Sequence, residues 1–128
     1  MTLSARMTGN PRAGTAGPSK SQLNTIAGTI VDPSFVSADW AIVFGKSTSA
    51  PATFADLTGP QSANSVQMDR MTLSFTGSNA NIVFTVDTWD LSALTIGDHL
   101  WLAYFRGNSS PSGTDPVTFS ADLGLVVA

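Results

Sequence analysis

The 128-residue chain has no cysteine, no glutamate and a single histidine, His99. The missing cysteine removes disulfides, thiolate metal sites and cysteine nucleophiles together. One histidine and no thiolate leave no ligand set for zinc. All nine acids are aspartate, against six Lys and Arg. Glutamate and lysine are strong surface helix formers, whereas aspartate prefers caps and turns, so this composition argues against helices. No apolar run approaches the roughly 20 residues of a membrane-spanning helix. The opening "MTLSARMTGNPRAGTAGPSK" has no apolar stretch of signal-peptide length. The expectation is a protein made in a cytoplasm, without a leader and away from membranes.

Catalytic motifs are equally scarce. A Ser-His-Asp triad would have to use His99, and no G-x-S-x-G elbow occurs. The simpler reading of His99 is a half-buried strand residue bonding the backbone of a nearby corner. A carboxylate-pair hydrolase needs two acids facing across a cleft, but Asp87 and Asp90 flank a turn, where aspartate serves as a cap. There is no calcium-loop pattern and no phosphate-cradling glycine loop. The expectation is a non-enzyme with no cofactor and no metal.

What the chain does have is Thr, Ser, Gly, Val and Phe in short runs separated by polar turns, the pattern of strands. Residues 1–22 are rich in Gly, Pro, Ser and Thr, with Pro11 and Pro18, and read as a flexible polar arm. Residues 23–128 read as one β-sandwich domain. "NTIAGTIV" ends at Asp32-Pro33. "ADWAIVFG" (38–45) sets Trp40, Ile42 and Phe44 on one side against Ala41 and Val43 on the other. "ATFADL" (52–57) is a short strand, and "TGPQSANS" (58–65) a turn-rich connection. "VQMDRMTLSFTG" and "ANIVFTVDTW" form a pair turning at Gly77-Ser78-Asn79. "DLSALTIG" is a turn, "DHLWLAYFRG" a strand, "NSSPSGTD" a mobile loop, and "PVTFSADLGLVVA" the last strand. About seven strands and no 3.6-residue periodicity predict an all-β, antiparallel sandwich with an extended N-terminal arm.

Charge is unevenly placed. Residues 1–30 carry +3 from Arg6, Arg12 and Lys20, and the remainder carries −6. Three cations with no aromatic among them make a poor nucleic-acid site; an acidic protein surface suits them better. "DHLWLAYFRG" (98–107) is apolar on both faces, with His99, Trp101, Ala103 and Phe105 alternating with Leu100, Leu102 and Tyr104. If one face fills the core, the other needs a cover. An exposed patch of Leu100, Leu102 and Tyr104, with Trp40 and the basic arm, would be an interface in a homo-oligomer. Leu102→Asp should then weaken assembly and leave the monomer folded.

"VDTWDLSALTIGDHLWLAYF" resembles the E strand, E–F corner and F strand of an immunoglobulin-like domain. It supplies Leu91, Leu94 and Gly97, with His99 near the place of the corner tyrosine. With the arm, the compact sandwich and the absence of chemistry, the chain resembles the small immunoglobulin-like decoration, cement or head–tail accessory proteins of tailed bacteriophages. That resemblance implies a virion location, capsid or tail subunits as partners, and function by contact through residues 1–22 and the strands around Trp40, Leu102 and Val126. The alternative is a small carbohydrate-binding or adhesion module, in which Trp89 would stack on a sugar and Asn108 and Asp115 would supply hydrogen bonds.

Overall fold

The computed structural model describes residues 2–8, 25–36, 38–64, 73–78, 81–87 and 94–125, with the backbone alone at 5–8, 25, 64, 73–78, 81 and 85–87. These residues form eight strands: β1 (Thr2–Thr8), β2 (Thr25–Val31), β3 (Trp40–Lys46), β4 (Thr58–Asn64), β5 (Leu73–Ser78), β6 (Asn81–Asp87), β7 (His99–Arg106) and β8 (Phe119–Leu125). All pairings are antiparallel, in two sheets ordered β1-β2-β6-β5 and β4-β3-β7-β8. The architecture is the expected all-β sandwich. Strands β1 and β8 run beside each other at one side, and among the described residues β5 and β4 are the outer strands of the other side. Among the described residues, no helix is long and apolar enough to cross a membrane.

Four expectations need correction. Thr2–Thr8, read as part of the arm, is strand β1, paired with β2 from Thr2 opposite Val31 to Thr8 opposite Thr25. Its Leu3 is buried while Thr2 and Ser4 are exposed, an alternation that the prolines further along obscured. Positions 9–24 lie outside the described residues. "ATFADL" is not a strand but a 3₁₀ turn at Phe54–Asp56, because the Asp56 carboxylate accepts from the Ala52 and Thr53 N–H groups and curls the chain. "TGPQSAN", read as a connection, is β4, where Pro60 is tolerated because the strand is at an edge. The β5–β6 ladder continues to Ser78 opposite Asn81, so Gly77 and Ser78 are strand rather than turn.

The core lies between the sheets. Trp40, Ile42 and Phe44 of β3 and Leu100, Leu102 and Tyr104 of β7 meet Leu3, Ile26, Ile30, Ile82 and Phe84 from the other sheet. Within its own sheet, Gly28 makes room for the Phe84 ring of the neighbouring strand: a Cβ there would stand 2.4 Å from the Ser4 carbonyl oxygen and 2.7 Å from the Phe84 ring. Across β7 and β8 the register shifts between Leu100 and Trp101, so Leu123 and Gly124 together oppose Leu100. Gly124 adopts φ +89° in this bulge, a conformation open to glycine at little cost. The bulge returns Leu123 to the core and leaves Asp122 opposite Trp101, on the outer face of the sheet.

Candidate functional site

The patch expected at Leu100, Leu102 and Tyr104 is not a surface. All three are 0% exposed and Trp40 is 2% exposed, because their parity points into the sandwich. The opposite parity carries Ala41, Val43, Ala103 and Phe105, and this second face is covered by the chain itself. From one end of the sheet comes the segment after β3, bringing Phe54 and Leu57. From the other end comes the β7–β8 loop, bringing Val117. The two segments meet over the sheet through Phe54 N–H to Asp115 O (3.0 Å), Ala55 N–H to Gly113 O (2.8 Å) and Val117 N–H to Ala52 O (3.0 Å). Beneath them the Phe54 and Phe105 rings stand 6.2 Å apart at 59°.

The β7–β8 loop, expected to be mobile, is tied at several points. Asn108 Nδ2 donates to Asp115 Oδ2 (2.9 Å), and the Ser112 N–H donates to the same oxygen (3.0 Å). The Ser109 N–H donates to Asp39 Oδ1 in the β2–β3 connection (2.8 Å). The residues proposed for a sugar, Asn108 and Asp115, are therefore bonded to each other and shape the cover. Trp89, Arg12, Lys20 and Val126 lie outside the described residues; Arg6 pairs with Ala27 through the β1–β2 ladder.

At the same end sits the one buried charged residue among those described, Asp32, at 0% exposure. Its Oδ2 accepts from Tyr104 Oη (2.8 Å) and Arg106 Nε (2.7 Å), and its Oδ1 from Arg106 Nη2 (2.7 Å) and the Ser34 N–H (3.0 Å). The two-pronged guanidinium contact is the strong form of this bond. It holds the Asp32 carboxyl below the usual carboxylate range, against the opposing effect of burial, and raises Arg106. Burial first, and the carboxylate second, push the Tyr104 phenol up. Asp32 follows β2 in one sheet and Arg106 ends β7 in the other, so the group pins the sheets together.

The opposite end carries an open groove of about 700 Å³ between the β3–β4 connection and the turn before β7. Its walls include Lys46, Ser47 and Ser49 on one side and Asp98 and His99 on the other. Lys46 Nζ lies 3.5 Å from Asp98 Oδ2. The Thr95 N–H, donating to Asp98, is the main cause of that carboxyl's lowered pKa. The His99 ring meets Asp122 Oδ1 through Nε2 at 2.7 Å, because the β8 bulge places Asp122 beside it; corner positions 91–93, toward which its bond was expected, lie outside the described residues. The ring also lies 5.0 Å from the Trp101 indole, whose Nε1 donates to the Ser47 carbonyl (3.1 Å). Sequence reasoning missed Asp32, Lys46, Asp98 and Asp122, whose partners lie far along the chain; only the Asp32-Pro33 turn gave a local signal. Among the described residues, no three His, Cys, Asp or Glu side chains converge as metal ligands. No protein-family model matches the chain, and no curated protein matches it.

Proposed function

We propose that this protein is a non-enzymatic structural subunit of a virion, a capsid decoration or cement protein or a head–tail accessory subunit, acting by contact with capsid or tail proteins. The observation that carries this reading is the placement of the acids. Each of the six aspartates with a described side chain holds a turn, a loop or an ion pair of its own chain: Asp32, Asp39, Asp56, Asp98, Asp115 and Asp122. Four of them, Asp32, Asp56, Asp98 and Asp115, have carboxyls shifted downward by those hydrogen bonds. A general acid or base working near neutrality needs the reverse shift. The polar chemistry of the chain serves rigidity, which suits a part that works by shape.

The sandwich itself we take to be immunoglobulin-like. The orders β1-β2-β6-β5 and β4-β3-β7-β8 correspond to A-B-E-D and C′-C-F-G. β6 and β7 then take the E and F places, and Leu94 of the intervening turn packs against the core. The test of the virion reading is an antibody raised against the purified chain and applied to intact phage particles induced from the strain that carries its gene. Label on particles, with the protein retained through gradient purification, is the expected result. Protein found only in the cell or medium, with bare particles, overturns it.

A further inference from the structure

Among the described residues the sandwich has four outer strands, and they are protected unequally. β1 and β8 lie against each other at one side. On the other side β4 is blunted. Its Pro60 has no N–H to offer, its Gly59 turns at φ +63°, and its ladder to β3 is irregular between Phe44 and Lys46. β5, "LSFTGS", has none of these devices: six consecutive residues pair regularly with β6, with no proline, no charge and no bulge. Edge strands of stable proteins are normally shielded by such features, and a regular, uncharged edge is a template for another strand.

We propose that the β5 edge is a homodimer contact, in which β5 of one copy pairs antiparallel with β5 of a second and joins two four-stranded sheets into one of eight. The proposal rests on the sheet topology and goes beyond the virion reading. A second copy is the occupant the sequence favours. Two-fold antiparallel pairing sets a strand opposite itself, where a charge would face a like charge, and β5 carries none. Residues directly opposite in an antiparallel ladder share a face, so continuous sheet faces require the two-fold to fall on Phe75 or on Thr76. Phe75 stands opposite the buried Phe84, and Thr76 opposite Val83, which is 52% exposed. Either register therefore continues both the core face and the outer face across the junction. A six-residue ladder is a smaller contact than the standard interface of about 1,600 Å², so the dimer is reversible and concentration-dependent.

The experiment is light scattering across a dilution series, paired with single-cysteine cross-linking in a chain that has no cysteine of its own. The apparent mass should rise from 13.3 kDa to twice that with concentration. The Ser74→Lys/Thr76→Lys double variant should stay monomeric with an unchanged circular dichroism spectrum. Under mild oxidation, Thr76→Cys should cross-link with itself if the two-fold falls on Thr76. If it falls on Phe75, Ser74→Cys should cross-link with Thr76→Cys and neither with itself. A wild-type monomer at every concentration, open-ended aggregation, a folded lysine variant that still dimerises, or equal cross-linking of the β4 control Gln61→Cys would each overturn the proposal. The first of these would leave the edge for a strand of another protein.

Discussion

Strands β3 and β7 are apolar on both faces, and the two faces are covered in different ways. The inner face meets another sheet, with large interdigitating side chains: Trp40, Phe44, Leu102 and Tyr104. The outer face, with Ala41, Val43, Ala103 and Phe105, meets two irregular segments. Small residues leave room for a loop backbone to approach, and that backbone needs hydrogen bonds of its own. The two segments supply some of them to each other, and the side chains of Asp56, Asp115, Asn108 and Asp39 supply others. A pair of tied loops thus takes the place of a third layer. An apolar strand face is therefore no evidence of a partner until its own neighbours in the fold are known.

Substitutions separate the two covers, and the largest effect is expected on the inner side. Leu102→Asp places an unpaired charge in the core, which costs more than a domain of this size can spare. It should give no soluble folded protein, rather than the folded, unassembled monomer that a surface position would yield; a cooperative thermal melt for this variant would contradict the assignment. Asp32→Ala strands the Arg106 guanidinium and the Tyr104 hydroxyl and should cost about 3–5 kcal/mol, read from chemical denaturation. Wild-type stability should carry the matching pH dependence. Because the Asp32 carboxyl titrates lower in the folded chain than in the unfolded one, its contribution is complete above about pH 4. It is lost as pH falls through the folded-state value. Asp32→Ala should flatten that part of the curve, and an unchanged acid limb would argue against the pin.

On the outer side, Phe105→Ala removes the ring under the loops. Its cost falls toward the lower end of the 3–5 kcal/mol usual for such a deletion, because loops relax into a gap more readily than a sheet. The distinguishing sign is local: proteolysis between 107 and 118 should accelerate well before global unfolding. Asn108→Ala is the mildest change, removing the hydrogen bond to Asp115 and the one that Asn108 Oδ1 accepts from the Ser110 N–H, both near the surface. It should speed amide exchange at Phe54 and Ala55 and leave the Leu102 amide unaffected. Equal acceleration at all three would mean that loop and core open as one unit.

The strands were legible wherever alternation met strong β-formers. "WAIVF" and "LWLAYF" mark β3 and β7, and the sequence even separates their two parities. Which parity faced the core was not legible, because both are apolar and the choice depends on the chain returning at Phe54 and Val117. β1 and β4 were missed for different reasons: β1 is short and runs into a stretch rich in Gly, Pro, Ser and Thr that obscures its alternation, whereas Thr, Gly, Pro and Ser make up most of β4, where only the ladder to a neighbour makes such residues strand. The polar clusters escaped for want of proximity. Asp32 and Arg106 stand 74 positions apart, and His99 and Asp122 meet through a bulge that no local pattern announces.

The tied loop also sets which parts of this chain are free to change over generations. In many β-sandwiches the loops at one end diversify because the framework stands without them. Here Asn108, Asp115 and Val117, with the Gly113 carbonyl, complete the framework, and length changes between them would uncover Phe105. Exposed Ser110, Ser112 and Thr114 can vary, and so can the groove lip at Thr48 and Ser49 on the opposite end. Variation among natural versions of this protein should therefore gather at the groove end and thin out along the loop that looks, in sequence, the more permissive of the two.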